Sequence, residues 1–437
     1  MTAASQIKRS LGDSAVVTVI EQQEWTSYSA CGIPYWVGGD TDGPDALVAR
    51  SPQQHRANGI EVHTALVATH LDLERQTVAA EPVLGGTTQI FDYDHLILAT
   101  GSRPRTPDIE GLALPGVHRV HTLDQGQAAI DSLARKPRRA VVLGAGYIGL
   151  EMAEAGLSRG VATTVLDLSP EPMSTLDPEM GRLIRQGMSE RGVVVHTMEP
   201  ARGICSGADG RVAAVATDHG DHPADIVFLG LGVEPRVELA AAAGLPVGAL
   251  GGILTDDHQR VVGFDNVWSG GDCTEVSDRV LGSRRYVPLG THANKHGRVI
   301  GLNIAGGDVA FPGVIGTAIT KFRDIEVART GLRTAEAIDL GMDVAAVTIQ
   351  ASTRAGYMPG ASAMHVRMLA DRADGRVVGT QIVGGPGAGK RIDTAATAIW
   401  TGLSVADIIE LDLSYAPPFS PVWDPVQTAA RALLPRL

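Results

Sequence analysis

"RRAVVLGAGYIGLEMAEAGLSRGVATTVLDLSP", residues 138–170, decides how the rest of the chain reads. The apolar run AVVL predicts a buried strand. Gly144, Gly146 and Gly149 follow it as G-x-G-x-x-G and open a helix. Gly144 permits the tight turn, Gly146 lets a pyrophosphate approach the backbone, and Gly149 lets helix and strand pack closely. The N–H groups at the helix start then face the phosphates. Asp167 closes the next strand, 23 residues after Gly144, in place to accept from a ribose 2′-OH. No Arg follows it; Leu168, Ser169 and Pro170 do. An acid there repels a 2′-phosphate, so the unit is expected to take NADH, with NADPH less favoured.

Outward from this unit, "VVTVIEQ" (16–22) has the shape of "TTVLDLS". Residues 2–11 predict a helix with Ala3, Ala4, Ile7 and Leu11 on one face, and "AVVTVIE" (15–21) a buried strand. Glu21 then reads either as the ribose acid of a second dinucleotide unit or as an ordinary strand-end acid. In the first case its glycine turn belongs about 20 residues earlier, ahead of Met1. The expectation is that Met1 is an internal methionine, that the natural protein starts further upstream, and that the chain as written holds its second dinucleotide weakly.

"HLILATGSRP" (95–104) and "DNVWSGGDCTEV" (265–276) predict short strands running into glycine turns. The second turn presents Asp272 to a ribityl hydroxyl. "THANKHGRVIGLNIAG" (291–306) predicts a helix, and "GADGRV" (207–212) a hairpin tip. From Phe311 four strand-like runs follow, the last two joined at Asp374-Gly375. "GGPGAGK" (384–390) imitates a P-loop, but Arg391 stands where Mg²⁺ binding needs Ser or Thr, which excludes nucleotide hydrolysis by that motif.

The 437 residues are 44% hydrophobic and carry 52 glycines, as α/β domains with many tight βα turns do. A net charge of −12 without a basic run argues against nucleic acid and anionic membranes as partners. No secretion signal or membrane span is read, and a cytoplasmic location is expected. Three cysteines make no disulfide scaffold. Cys205 and Cys273 read as structural, Cys273 close to a cofactor. Cys31, in "SYSACGIPYW" (27–36), precedes a Gly-Ile-Pro that fits a helix start, a setting that makes a thiol nucleophilic. On the residues alone, a reactive and a buried structural thiol both remain open. No metal-ligating set is assigned.

Together "SACGIPY", "LILATGSRP", "GAGYIGLE", "GGDC" and the tail "YAPPFSPVWDP" (415–425) resemble the pyridine nucleotide-disulfide oxidoreductases with a single redox cysteine, in the branch of coenzyme A-disulfide reductases and NADH oxidases. The resemblance implies two Rossmann-like dinucleotide-binding domains, for FAD and NAD, and a C-terminal α+β dimerisation domain. It divides the chain into FAD domain 1–115 and 256–310, NAD(P) domain 116–255 and dimerisation domain 311–437, and implies a homodimer. No rhodanese-type domain is expected beyond Leu437. Cys31 becomes the redox centre that reduces a small thiol disulfide, with Tyr357 and Tyr415 sent toward it by the partner subunit. Cofactor contacts fall on Glu21, Val67, Thr100, Gly101, Arg103, Gly271, Asp272, Leu289, Gly290, Thr291 and Ala293, and on Gly144, Gly146, Tyr147, Ile148, Gly149, Glu151, Asp167 and Gly232. Coenzyme A contacts fall on Gln6, Arg9, Ser27 and Asn294. Ala30 and Trp423 depart from residues common in the branch, so another thiol or a persulfide stays open as substrate. The alternatives are an NADH oxidase or peroxidase with a cysteine sulfenic acid, and a non-catalytic dimer that binds NADH without FAD.

Overall fold

A computed structural model describes all 437 residues. They form two compact units: Met1–Gly32, Asp42–Arg105 and Val233–Val314 make one, and Ile33–Thr41, Thr106–Gly232 and Ile315–Leu437 the other. No helix is long and apolar enough to cross a membrane.

In the first unit, helix Thr2–Leu11 follows the predicted apolar stripe, burying Ala3, Ala4 and Ile7. It lies on helix Gly290–Ile304, where the sequence supplies glycines at the crossing. A Cβ on Gly301 would stand 2.5 Å from Gln6 Cβ, and one on Gly297 2.8 Å from Thr2 Cβ. Beneath lie two separate parallel pairs, Thr18–Ile20 with Glu61–His63 and Leu96–Leu98 with Val267–Ser269. The first helix serves both. Ala4 packs with Ile60 and Val62, while Ala3 packs with Trp268 and Ile300. Strands Thr18–Ile20 and Leu96–Leu98 therefore each have one neighbour and one open edge. The run 15–21 was expected to be a buried strand. It is a strand only over Thr18–Ile20, none of its residues is fully buried, and Val16 is exposed, because a strand with one neighbour leaves an edge to solvent.

In the second unit, a five-stranded parallel sheet runs in the order 194–196, 162–166, 139–143, 226–229, 117–119. Helix Tyr147–Ser158 packs on it, and the strand Arg139–Leu143 is buried on both faces, as a central parallel strand must be. The hairpin tip at 207–212 joins strands Ala201–Ser206 and Val212–Thr217 as expected. Cys205, read as structural, lies exposed on the first of them, where alternation points it outward. The C-terminal sheet is antiparallel, with five strands in the order 318–322, 325–331, 377–384, 363–371, 344–352. Helices Ile392–Thr401 and Pro425–Leu433 bury their apolar faces against it.

Candidate functional site

The glycine turn of the second unit has the geometry a dinucleotide needs. Gly144 sits at φ +94°, and a Cβ there would stand 2.5 Å from the Gly230 carbonyl oxygen. A Cβ on Gly149 would fall 1.9 Å from the Gly144 oxygen. A Cβ on Gly146 meets nothing within 4 Å: that side of the turn is open, at the point where a phosphate would approach. Gly146 is also the N-cap of helix Tyr147–Ser158, and no side chain caps it, so the helix N–H groups face that opening. Asp167 closes the loop. Its carboxylate accepts from the Ala145 N–H and from Ser169 N–H at 2.6 Å, which ties the acid at the end of the second strand to the glycine turn.

Glu151, one turn into that helix, carries a proton near neutrality. Burial pushes its carboxyl up to about 7, with the Glu154 charge adding to the rise and the Thr320 hydroxyl, donating at 3.0 Å, working against it. Glu154 is buried and takes an ion pair from Lys321 and a hydrogen bond from Arg323 N–H at 2.8 Å.

The first unit holds the strand-end acids and turns expected for a second dinucleotide. Glu21 closes strand Thr18–Ile20; it accepts from Gln23 N–H at 2.9 Å, and burial raises its carboxyl above the usual range. The Thr100–Gly101 turn is held by Thr100 Oγ1 donating to the Arg236 carbonyl at 2.6 Å. Asp272 accepts from the buried Ser102 hydroxyl at 3.1 Å. Gly271, at φ +85°, donates its N–H to His296 Nδ1 at 3.1 Å. That bond fixes the His296 tautomer, burial lowers its pKa to about 4, and its Nε2 is left buried without a partner. The turn Leu289–Thr291 opens helix Gly290–Ile304 without a side-chain cap, with Ala293 two residues further and 3.5 Å from where a Gly271 Cβ would lie. Val67 lies half-buried on strand Leu66–Asp72. Arg103 is engaged by Glu234 at 2.7 Å and by Glu238. Gly232, at φ +81°, belongs to the other unit.

These residues test the fit of FAD. Glu21 suits the adenosine ribose; Asp272 and the uncapped helix start at Gly290 suit the ribityl chain and the flavin end. The pyrophosphate has a helix start at Thr2 to face.

Cys31 is exposed, on the 3-10 turn Ala30–Gly32, and none of the three cysteines is in a disulfide. The turn is built tightly. Gly32 N–H donates to the Ser29 carbonyl at 3.0 Å, and a Cβ on Gly32 would stand 2.4 Å from Leu47 Cδ2. Ser27, at φ +47°, pairs its hydroxyl with His55 Nε2 at 2.9 Å. His55 is buried, which lowers its pKa. No local pattern marks this histidine, because its partner lies 28 residues away with no shared motif. Gln6 and Arg9 are joined at 2.9 Å on the first helix, and Thr2 donates to Asn294 at 2.7 Å across to the other helix, so three of the four residues expected to meet coenzyme A belong to one helix pair. Ser27 lies on the turn leading to Cys31.

Tyr357 and Tyr415 are exposed, not core. Their loops are tied together by Ala355 N–H donating to the Pro417 carbonyl at 3.1 Å. Arg391, which spoiled the P-loop match, holds this region: its guanidinium reaches the carbonyls of Thr353 and Phe419 and the Asp424 carboxylate. Phe419 (77% exposed), Tyr357 (76%) and Val422 (69%) stand out into solvent at this end of the unit.

A dinucleotide turn with its ribose acid and an exposed thiol are the working parts of a nucleotide-dependent thiol oxidoreductase. The chain belongs to the pyridine nucleotide-disulphide oxidoreductase family: the family profile matches residues 1–297, and the profile of the family's dimerisation domain matches 317–425. A relative is the CoA-dependent NAD(P)H sulfur oxidoreductase of Pyrococcus furiosus, 36% identical, covering 99% of this chain and 96% of that one. The NADH oxidase of Methanocaldococcus jannaschii is 32% identical over 100% of this chain and 97% of its own. Among solved structures, the NAD-dependent persulfide reductase from A. fulgidus superposes with a TM-score of 0.95 at 37% identity, over 100% of this chain and 81% of that one. The family is FAD-dependent and uses NAD(P)H.

Proposed function

We propose that the protein is an FAD-dependent NAD(P)H:disulfide oxidoreductase, a homodimer, that reduces a small thiol disulfide such as coenzyme A disulfide, or the matching persulfide, through Cys31. The observation that carries this reading is the exposed Cys31 thiol in the unit that also holds Gln6, Arg9 and Asn294 on one helix pair and Glu21 and Asp272 at its turns. The names of the P. furiosus and A. fulgidus relatives support the substrate class.

Bound FAD would supply the two-electron relay between NADH and the thiol. Gly146 and the N–H groups of the helix after it bind the NADH pyrophosphate, and Asp167 orients the ribose. The Cys31 thiolate attacks one sulfur of the disulfide; the Cys31–S bond forms as the S–S bond breaks, and the leaving thiolate takes a proton from solvent. Two electrons then cleave the mixed disulfide, releasing the second thiol and restoring the Cys31 thiolate. The sum is one NADH and one proton consumed per disulfide, with two thiols and NAD⁺ formed. Arg9 pairs with coenzyme A phosphate, Gln6, Ser27 and Asn294 line its path, and Tyr357 and Tyr415 of the partner subunit donate protons at the thiol.

The test is NADH consumption across coenzyme A disulfide, other disulfides, persulfides, peroxide and oxygen. Coenzyme A disulfide or its persulfide is expected to turn over fastest, and Arg9→Ala to raise KM for it about tenfold, the loss of one charge-assisted contact of ~1.4 kcal/mol. Turnover of oxygen or peroxide alone would favour the NADH oxidase reading, in which Cys31 cycles through a sulfenic acid. The open edges of strands Thr18–Ile20 and Leu96–Leu98 favour a further reading, a chain that binds NADH and dimerises without retaining FAD. A colourless protein that binds NADH would establish it.

A further inference from the structure

Away from the glycine turn, three histidines surround one buried carboxylate. Glu199 is 5% exposed. His222 Nε2 lies 2.7 Å from its Oε1, His196 Nδ1 3.1 Å from its Oε2, and His219 Nδ1 3.8 Å from the same Oε2. Thr217 Oγ1 also donates to Oε1, at 2.7 Å, and holds the carboxylate in place. The donor atoms of His196, Glu199 and His222 lie within 4.8 Å of one another, and the two imidazoles meet edge to face with centroids 4.7 Å apart. No motif marks the set. His196 ends strand Val194–His196 and Glu199 lies in the loop after it, while His219 lies in the turn before strand Gly220–Pro223 and His222 within that strand.

We infer that His196, Glu199 and His222, with His219 as a fourth donor, form a binding site for a divalent transition metal of the zinc type. Two or three imidazoles and one carboxylate are the donor set that zinc takes, and tetrahedral ligands at ~2.0–2.1 Å stand about 3.3 Å apart, close to the separations in the cluster. The donor balance points the same way. Asp218, next to His219, is engaged by Arg202 at 2.6 Å, and Glu199 is the carboxylate that His196 and His222 contact. Each carboxylate oxygen already faces an imidazole nitrogen, so a cation enters between groups that are aligned. Glu199 is fixed by burial and by Thr217, as a ligand needs its outer contacts to be.

The site has a consequence for the nucleotide turn. Asp167 N–H donates to the His196 carbonyl and Glu199 N–H to the Asp167 carbonyl, both at 2.9 Å, and Met198 N–H donates to the Ser169 carbonyl at 3.1 Å. A metal that clamps residues 196–199 stiffens the backbone carrying Asp167. Metal occupancy is then expected to tighten NADH binding several-fold. This second part rests on the NADH-binding reading of Asp167; the metal site does not.

The experiment titrates the full chain, stripped with a chelator, with Zn²⁺ against a chromogenic chelator and with Co²⁺ by visible absorbance. It is done in the Cys31→Ser, Cys205→Ser background so that no exposed thiol competes. One metal per chain is expected, with the visible bands of tetrahedral Co²⁺, and at least tenfold weaker binding in His222→Ala and in His196→Ala. His219→Ala, on the exposed turn, serves where either of those fails to fold and is expected to weaken binding by a smaller factor. Absence of stoichiometric binding, or binding that none of these substitutions weakens, overturns the site. If metal binds and the NADH dissociation constant does not move, the coupling is overturned and the site stands.

Discussion

Glu151→Gln isolates the proton held beside the nucleotide turn. The folded chain keeps the Glu151 carboxyl protonated up to about 7, whereas the ordinary value is 4.5. Below 4.5 both folded and unfolded chains are protonated at this position, and the group leaves stability alone. Between 4.5 and 7 the unfolded chain gives up the proton and the folded chain keeps it, so stability falls as pH rises through that window. At ~1.4 kcal/mol per pH unit, the span from 4.5 to about 7 amounts to ~3 kcal/mol lost on the alkaline side. Gln keeps the shape and still accepts from the Thr320 hydroxyl, but it does not titrate. The charges that face Glu151, namely Glu154 and the Lys321 paired with it, stay in place in the variant. The variant is therefore expected to match the parent below 4.5 and to exceed it above 7. The excess corresponds to roughly 6–12 °C in melting temperature, at about 2–4 °C per kcal/mol for a unit of this size. The assay is thermal unfolding of both chains across that pH range, read as the difference between them. Parallel curves would show that Glu151 ionises in the folded chain like an ordinary carboxyl, and the argument from burial would fail.

Cys31→Ser is expected to abolish disulfide turnover while NADH still reduces the flavin of FAD-loaded protein; retained turnover on stopped assays with coenzyme A disulfide would remove Cys31 from the reaction. NADH is expected to give the higher kcat/KM, on the proposed role of Asp167 at the ribose and because Leu168, Ser169 and Pro170 offer no cation to a 2′-phosphate. Asp167→Ala should narrow the gap, and a preference for NADPH in the parent would refute the role. With strands Thr18–Ile20 and Leu96–Leu98 each open along one edge, part of the FAD is expected to be lost on gel filtration, and one flavin per chain after passage would refute this.

What the sequence disclosed followed how local each signal is. The unit around Gly144 was legible because turn, helix start and ribose acid lie within one short run whose glycines are each forced by a contact: a Cβ at Gly149 collides with the Gly144 carbonyl whatever surrounds the fold. The helix at 2–11 was legible for a like reason, its apolar stripe being its packing face. The run 15–21 was overread because an apolar strand is written the same way whether or not a neighbour covers its second edge. The exposure of Cys205 was not legible because it depends on which face of a strand alternation assigns the thiol. The features missed altogether all join distant segments: Ser27 with His55, Ser102 with Asp272, Gly271 with His296, and Glu199 with histidines from two strands. The last case shows the cost most clearly. His196-x-x-Glu199 and His219-x-x-His222 are each unremarkable spacings on extended chain, where residues three apart point to opposite faces and cannot by themselves share a ligand. Only a turn after His196 and the hairpin at Gly220 bring the four side chains around one point, where an edge strand of one sheet meets an edge strand of another, and no single segment carries that.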